Sequence, residues 1–443
     1  MLLVAVCLEF GCKDYLDAKP NKKLALLDNL PAMQALLDDH PRLIFRGVNG
    51  GEASSDDYYA TDADLATFEE EWEVRKYSWK RSYIYDRTNN DWASAYNLVY
   101  YGNTILDETN KLDRQAVDAI AYNNVRGQAF FYKANGLINA AYLWAPIYNS
   151  ANAEQALGVP IRENSDFNIP TTRTSVQANY AQVLADAKQA TQLLPNIALH
   201  VIRPSKHAAY ALLARTYLAM GLYNEAGLYA DSCLNIKSEL LDYNTLAPTA
   251  AFPIAAFNKE VIMEGRMSLP LLLTQGVAKI NPALYQLYEA NDLRKTIFFK
   301  TISNGIYAFK GNYTGTTPPF TGFALDEVYL IKAECLARAN KVAEANDVLE
   351  KLLIKRYKTG TYLKFIPNGQ QAMLDKVLVE RRKELLMRGL RWVDLKRLNR
   401  DGANITMTRI VGGVTLTLLP NSNAYSLPIP EAIIGLTGIQ QNP

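Results

Sequence analysis

The stretch Glu380-Arg-Arg-Lys-Glu-Leu-Leu-Met-Arg-Gly-Leu-Arg-Trp-Val-Asp-Leu-Lys-Arg-Leu-Asn-Arg400 decides how this chain reads. Before and within it, Leu374, Val377, Leu378, Arg381 and Leu385 fall at three- and four-residue steps, which predicts one face of a helix. Gly389 stands where such a helix would end in a left-handed residue. Trp392, Leu395 and Leu398 restart a three-residue step, so a second short helix is expected to fold back on the first. A tight helix–Gly–helix hairpin with an Arg-rich polar side has to dock on something large. Its Glu and Arg residues are expected to satisfy one another along the helix, which makes the hairpin a structural clasp rather than a catalytic element.

Composition sets the bounds. The 443 residues suffice for a large core or for two fused lobes. Lys and Arg number 47 against 45 Asp and Glu, so no field draws nucleic acid, and no basic run carries interleaved aromatics. The 27 tyrosines are many, and a good share lie outside helical stripes. A tyrosine offers a flat apolar face and a hydroxyl, which suits sugars and other polar ligands. Only Cys7, Cys12, Cys233 and Cys335 are present, with no CxxC pair, so neither a zinc site nor a disulfide framework is implied. Cys233 and Cys335 sit inside helical patterns and are expected in the core. His40, His200 and His207 have no ligand-spaced partner, so no metal or cofactor is expected.

Along the chain, residues 1–11 are short and apolar and precede Cys12, the pattern of a lipoprotein signal. Glu9 interrupts the run and no early Lys or Arg precedes it, so an ordinary apolar N-terminus is the alternative. Residues 12–27 read as a tether. A helical pattern covers 28–40, and residues 47–64 are loop-like around Tyr58 and Tyr59. From Glu69 to Arg87, the residues Trp72, Tyr77, Trp79, Tyr83 and Tyr85 keep neither a helical nor a strand period. Aromatics on irregular backbone are candidate stacking surfaces. Trp72 is the one expected to plug the lobe behind them. Asn89 and Asn90 are candidates for a polar fork that orients hydroxyls.

Helices follow. Trp92, Tyr96, Val99, Asn103 and Leu106 form one stripe, with Asp91 as the expected cap. Residues 118–144 and 173–195 give two more. Residues 205–230 are rich in Ala, turn at Gly221, and read as a tetratricopeptide-like helix pair, which 323–353 repeats. The insertion 240–322 is poor in helical period, and Tyr307 and Tyr313 lie in it on an expected hairpin or loop. Residues 405–419 surround Gly412-Gly413 and predict a hairpin.

The opening stretch also resembles the signature of the SusD/RagB family. Glu380, Arg381, Arg382, Glu384, Leu385, Gly389, Arg391, Trp392, Asp394, Leu395 and Arg397 match it, and Arg388 departs from the family's usual Glu. Further matches are Cys12 to Asp17, Trp92 with Tyr96 and Asn103, Leu157 to Ile161, Asn291 to Arg294, and Tyr425 to the end of the chain. The resemblance implies a mainly α fold: an irregular tetratricopeptide-like scaffold of helix pairs with a loop-rich, partly β lobe. It divides the chain into an N-terminal helical region over 28–239, the insertion over 240–322, and a C-terminal region over 323–443. It implies an outer-membrane lipoprotein anchored through Cys12 and exposed at the cell surface. Such a protein binds a nutrient, usually a glycan, and passes it to a SusC-like TonB-dependent transporter. The ligand-binding residues expected on this basis are Tyr58, Trp79, Tyr83, Tyr85, Asn89, Asn90, Tyr307 and Tyr313. No nucleophile elbow, phosphate-cradling loop or helix-borne His pair appears, so no catalytic residue is assigned. Asp56, Asp57 and Glu69 to Glu71 are expected to be solvated charge. Glu327 and Glu334 are expected to meet Arg381 or Arg382. The competing readings are a lipid-anchored scaffold without a small ligand, a peptide binder, and a glycan hydrolase with two carboxylates facing across a cleft.

Overall fold

The computed structural model describes residues 27–443; Cys12 and the segment before it lie outside them. Ten helices carry the architecture: α1 Leu30–Leu37, α2 Asp91–Thr109, α3 Ala119–Trp144, α4 Val176–Leu193, α5 Lys206–Met220, α6 Tyr223–Ile236, α7 Leu325–Arg338, α8 Val342–Leu353, α9 Gly369–Glu384 and α10 Arg391–Arg400. Their starts are chemically marked. Asn90, Asp118, Ser175 and Ser205 each accept a backbone amide three residues on, which satisfies a donor that the first helical turn leaves open. Asn90, not Asp91, therefore caps α2.

Successive helices pack as pairs: α2 on α3, α3 on α4, α5 on α6, α7 on α8. In the α5–α6 pair, Ala208, Ala211, Ala226 and Ala230 are buried. Their small side chains let the helices approach until Tyr217 stacks on Tyr229 with ring centroids 5.4 Å apart. Gly221, at φ +79°, ends α5 in the left-handed region that glycine enters without cost. Cys233 and Cys335 are buried within these pairs, as their helical setting predicts.

Among the described residues every sheet is a two-stranded antiparallel ribbon. Phe299–Ser303 pairs with Ile306–Phe309, and Met407–Val411 with Val414–Leu418. The second ribbon turns on Gly412 and Gly413, both at positive φ. Tyr58–Tyr59 pairs with Lys279–Ile280 and ties the N-terminal loops to the insertion. The region 47–64 is thus not simply loop. It also contains a buried helical turn, Gly50–Ser54. A Cβ on Gly51 would lie 3.1 Å from that of Trp392, so the glycine lets this turn lie against α10.

The clasp is α9 and α10 with Gly389 at φ +73° between them. Trp392 is 1% exposed, packs on Tyr425 at 4.8 Å and donates from its indole N–H to the Tyr425 carbonyl. The polar side of the clasp is buried rather than solvent-facing, and its ion pairs are made largely with other elements. Arg397 grips Glu334 of α7 at 2.6 and 2.9 Å, and Arg381 holds Asp394 across the hairpin at 2.9 Å. Glu327 meets Arg215 of α5 at 2.6 Å instead of Arg381 or Arg382. Arg382 and Arg391 reach Asp56 at 3.0 and 2.6 Å, and Asp57 is 1% exposed, so this acidic pair is not solvated charge. Arg388 finds Asp326 at 3.0 Å. The physical reason is common to all. Once a charged helix face is desolvated, its counter-charges must come from whatever it packs against.

Deeper still, Arg294 binds Asp292, Glu380 and Glu384, and Arg356 binds Glu384 and Glu260, all with fully buried side chains. This network joins α9 to the loop-rich lobe.

Candidate functional site

The site grows from the segment between residues 69 and 91. Glu71–Tyr77 forms a short helix. Glu73, Lys76 and Tyr77 turn inward from it, and Trp72 is left partly buried at the edge. Lys76 is 3% exposed, and its Nζ lies 5.0 Å from the Trp72 ring centre and 5.1 Å from that of Tyr85. It donates to Asn49 Oδ1 at 3.2 Å and stands 4.0 Å from Asp91. Burial lowers its pKa, and Asp91 and Glu73 oppose that shift. A cation held between two rings and fixed by a carboxylate braces them at a set separation.

Two carboxylates lock the surrounding segments. Glu73 accepts the amides of Leu271 and Leu272 at 3.2 and 2.9 Å, which fastens the insertion to this helix. Asp91 accepts the amides of Asn49 and Gly50 at 2.8 and 3.0 Å. A Cβ at Gly50 would come within 2.7 Å of Asp91, so this grip requires the glycine. The three segments enclose an open polar cleft of about 480 Å³.

The groups left facing the cleft are the partly buried Trp72, then Glu70, Asp86, Thr88, Asn89 and Ser268. Asp86 accepts the amides of Asn89 and Thr88 at 2.6 and 2.9 Å. These bonds hold its carboxyl below the usual range, so it stays an ionised acceptor at neutral pH. Asn89 is exposed, and its side-chain oxygen accepts from Arg46 at 3.3 Å. The result is one aromatic face beside a short arc of donors and acceptors, with Leu269, Pro270 and Leu271 as an apolar wall.

Of the residues expected from the sequence, Tyr85, Asn89 and Asn90 line this cleft together. Their roles differ. Tyr85 is 8% exposed and its hydroxyl accepts from the Trp144 indole at 3.0 Å, so it backs the wall. Asn90 spends its side chain on capping α2 and on the Asp86 carbonyl and is no hydroxyl fork. The other expected residues lie elsewhere. Trp79 packs inward, with its indole donating to the Ser54 carbonyl at 3.0 Å and Arg409 over its ring at 4.9 Å. Tyr83 is 67% exposed, but its amide binds Glu431 at 2.6 Å and the residue does not line the cleft. Tyr58 and Tyr313 are each 2% exposed and donate to the Ala53 carbonyl and to Glu260, so neither offers a ring face. Tyr307 stacks on Tyr285 at 3.7 Å outside the cleft. Trp72, expected as a plug, is only partly buried and lines the cleft, while Tyr77, 1% exposed, fills the lobe behind it.

A second cleft, of about 520 Å³, runs beside α2. Trp92, Tyr96 and Tyr100 form its floor, and Phe167, Ile169 and Leu436 its walls. Arg162 lines it as well, and part of its guanidinium is engaged by the Ile169 carbonyl at 2.7 Å. Among the described residues, no group of His, Cys, Asp or Glu is arranged to hold a metal ion, and no helix is long and apolar enough to cross a membrane.

Comparison with known proteins bears on both fold and site. A family model described as starch-binding and associating with the outer membrane matches residues 14–218, and the model of the SusD family matches residues 287–443. No curated protein sequence is matched. Solved structures share the fold. A SusD superfamily protein from Bacteroides thetaiotaomicron is 22% identical, with TM-score 0.75, over 94% of this chain and 100% of its own. A SusD-like carbohydrate binding protein from Bacteroides vulgatus is 18% identical, with TM-score 0.69, over 93% of this chain and 97% of its own. The surface glycan-binding protein A of Bacteroides uniformis is 15% identical, with TM-score 0.70, over 94% of this chain and 99% of its own.

Proposed function

Since the chain belongs to the SusD/RagB family, we propose that it captures a glycan in the cleft of Trp72 and passes it to a SusC-like TonB-dependent transporter. The single observation that supports this reading is the composition of the cleft. The partly buried indole of Trp72 lines the cleft beside Asp86, Thr88, Asn89 and Ser268. A sugar ring has an apolar face for the indole and equatorial hydroxyls for such an arc. Stacking needs no exact register, so one platform serves many positions along a polymer. Capture without turnover is favoured because three of the four acids lining the cleft, Glu73, Asp86 and Asp91, are occupied by backbone amides, which leaves Glu70 alone at its edge rather than a facing pair. Acylation of Cys12 would hold a nearly neutral body at the outer membrane, facing the cell exterior.

A glycan and peptide array probed with lipid-free protein tests the ligand class. Glycan binding that is lost in Trp72→Ala and weakened in Asn89→Ala is the expected result. Binding of peptides alone, or glycan binding indifferent to both substitutions, overturns the site. For the anchor, Cys12→Ala should release the protein from membranes, and a variant that still sediments with them refutes acylation.

A further inference from the structure

Lys396 of α10 is the exception in the clasp. It is 4% exposed, and its Nζ donates to the carbonyls of Tyr142 and Ala145 at 2.8 and 2.7 Å, at the C-terminal end of α3. Among the described residues no carboxylate pairs with it, whereas Arg381, Arg391 and Arg397 each have one. Lys396 also lines an open cleft of about 270 Å³ between the turn after α3 and the segment after the Gly412-Gly413 hairpin. Asn152, Ser422, Asn423 and Ser426 supply polar groups to its walls, and no acid lines it among the described residues. Arg400 is there too, but Asp401 balances it at 2.8 Å.

A buried ammonium without a counter-charge is costly, and amide and hydroxyl donors around a cavity favour an anion. We propose that this cleft binds a small carboxylate of up to monosaccharide size, with Lys396 as its counter-ion. The site is distinct from the cleft of Trp72 and does not depend on the sugar reading. An acidic sugar or a simple organic acid would supply the same group.

Burial alone brings the Lys396 amine down to about 7. The other charged or titratable groups facing it are Arg400 at the end of its own helix, with Asp401 just after it, and Tyr425 across the cleft. From α3 only carbonyls face it. Burial pushes the Tyr425 phenol up to about 12, so Lys396 is the group that titrates near neutrality. A bound carboxylate holds Lys396 charged. Binding therefore takes up a proton, and affinity falls about tenfold per pH unit above pH 7.

Calorimetric titration of the intact protein with sodium glucuronate and with sodium acetate, at pH 6 and pH 9 and constant ionic strength, tests this. Glucuronate should bind at pH 6 and more than tenfold more weakly at pH 9. Acetate binding as well would mark the carboxylate alone as sufficient, and glucuronate alone would mark an acidic sugar. Lys396→Met should abolish binding, and Lys396→Arg, which does not titrate, should retain it at pH 9. Lys396→Met keeps the volume but removes the donor to the Tyr142 and Ala145 carbonyls, so circular dichroism checks that it folds. Should it not fold, Asn423→Leu at the exposed rim must weaken glucuronate binding with Lys396 intact. Glucuronate binding that survives Lys396→Met, that is equal at pH 6 and pH 9, or that is absent together with acetate binding overturns the proposal.

Discussion

Arg294→Met is the sharpest test of how the two lobes are held together. The guanidinium makes four hydrogen bonds: two to Asp292 at 2.9 and 2.7 Å, one to Glu380 at 2.6 Å and one to Glu384 at 2.9 Å. All four side chains are 0% exposed. In the wild type, Asp292, Glu380, Glu384 and Glu260 face Arg294, Arg356, Lys376 and Lys383, and the charges cancel. Methionine fills most of the volume but leaves one negative charge without a partner in a region closed to water. Removing one partner from such a set costs about 3–5 kcal/mol. The pH dependence follows from the carboxyls. Burial pushes Glu380 up, but Arg294, Lys383 and Lys376 outweigh it and hold the group well below the usual range. A depressed carboxyl contributes stability that is present above the unfolded pKa and is lost as pH falls through the folded one. In the variant the surplus charge is relieved by proton uptake, so a carboxyl of the cluster titrates higher. The difference between wild type and variant should therefore be largest near pH 8 and shrink toward pH 5. Urea unfolding followed by circular dichroism, at several pH values, measures it. A loss below about 1 kcal/mol, the size of an exposed pair, would refute the reasoning, as would a loss constant with pH.

Trp392→Ala should cost about 3–5 kcal/mol in the same assay, the range for a large aromatic removed from a core, with glycan affinity of the folded protein unchanged. Burial and the neighbouring Asp57 push the Glu52 carboxyl up to about 8. Its protonated form thus favours folding, and wild-type stability should fall as pH rises from about 5 to 8, a slope that Glu52→Gln should flatten. Tyr83→Ala should leave both stability and cleft binding nearly unchanged, within about 0.5 kcal/mol for a surface site, while Trp72→Ala weakens glycan binding by about 1 kcal/mol beyond the area lost; calorimetry on the glycan found by array separates the two.

Much of the helical frame was legible because its signals are local. The Ala steps of α5 and α6, the left-handed Gly221 and Gly389, and the Gly412-Gly413 turn each follow from residues within one or two turns of chain. The ion pairs were not legible for the converse reason. Glu327 and Glu334 were expected to meet Arg381 or Arg382, but their partners are Arg215 and Arg397. Periodicity shows that a charged face exists; only packing shows which distant charge it meets. Asp56 and Asp57 misled in the same way. Two acids beside serines look solvated until α9 and α10 bring Arg382 and Arg391 to them.

The cleft shows where the aromatic argument went astray. Judged by aromatics alone, residues 72–85 have no period, because Trp72, Tyr77, Trp79, Tyr83 and Tyr85 are spaced by five, two, four and two. Judged by all residues, Trp72 with Lys76 and Glu73 with Tyr77 are two four-residue pairs, the mark of a short helix. That helix decides which ring is free. Glu73, Lys76 and Tyr77 are its buried side, so Tyr77 must plug the lobe and Trp72 is left at the edge. After the helix, Trp79 and Tyr83 both take positive φ, +53° and +51°, which bulky residues seldom adopt. These two left-handed residues carry the chain around without glycine, and neither ring lines the cleft. No pattern in the sequence announces a left-handed tryptophan. The glycines that do announce close approach, Gly50 and Gly51, lie some twenty residues earlier, and their meaning appears only when Asp91 and Trp392 arrive against them.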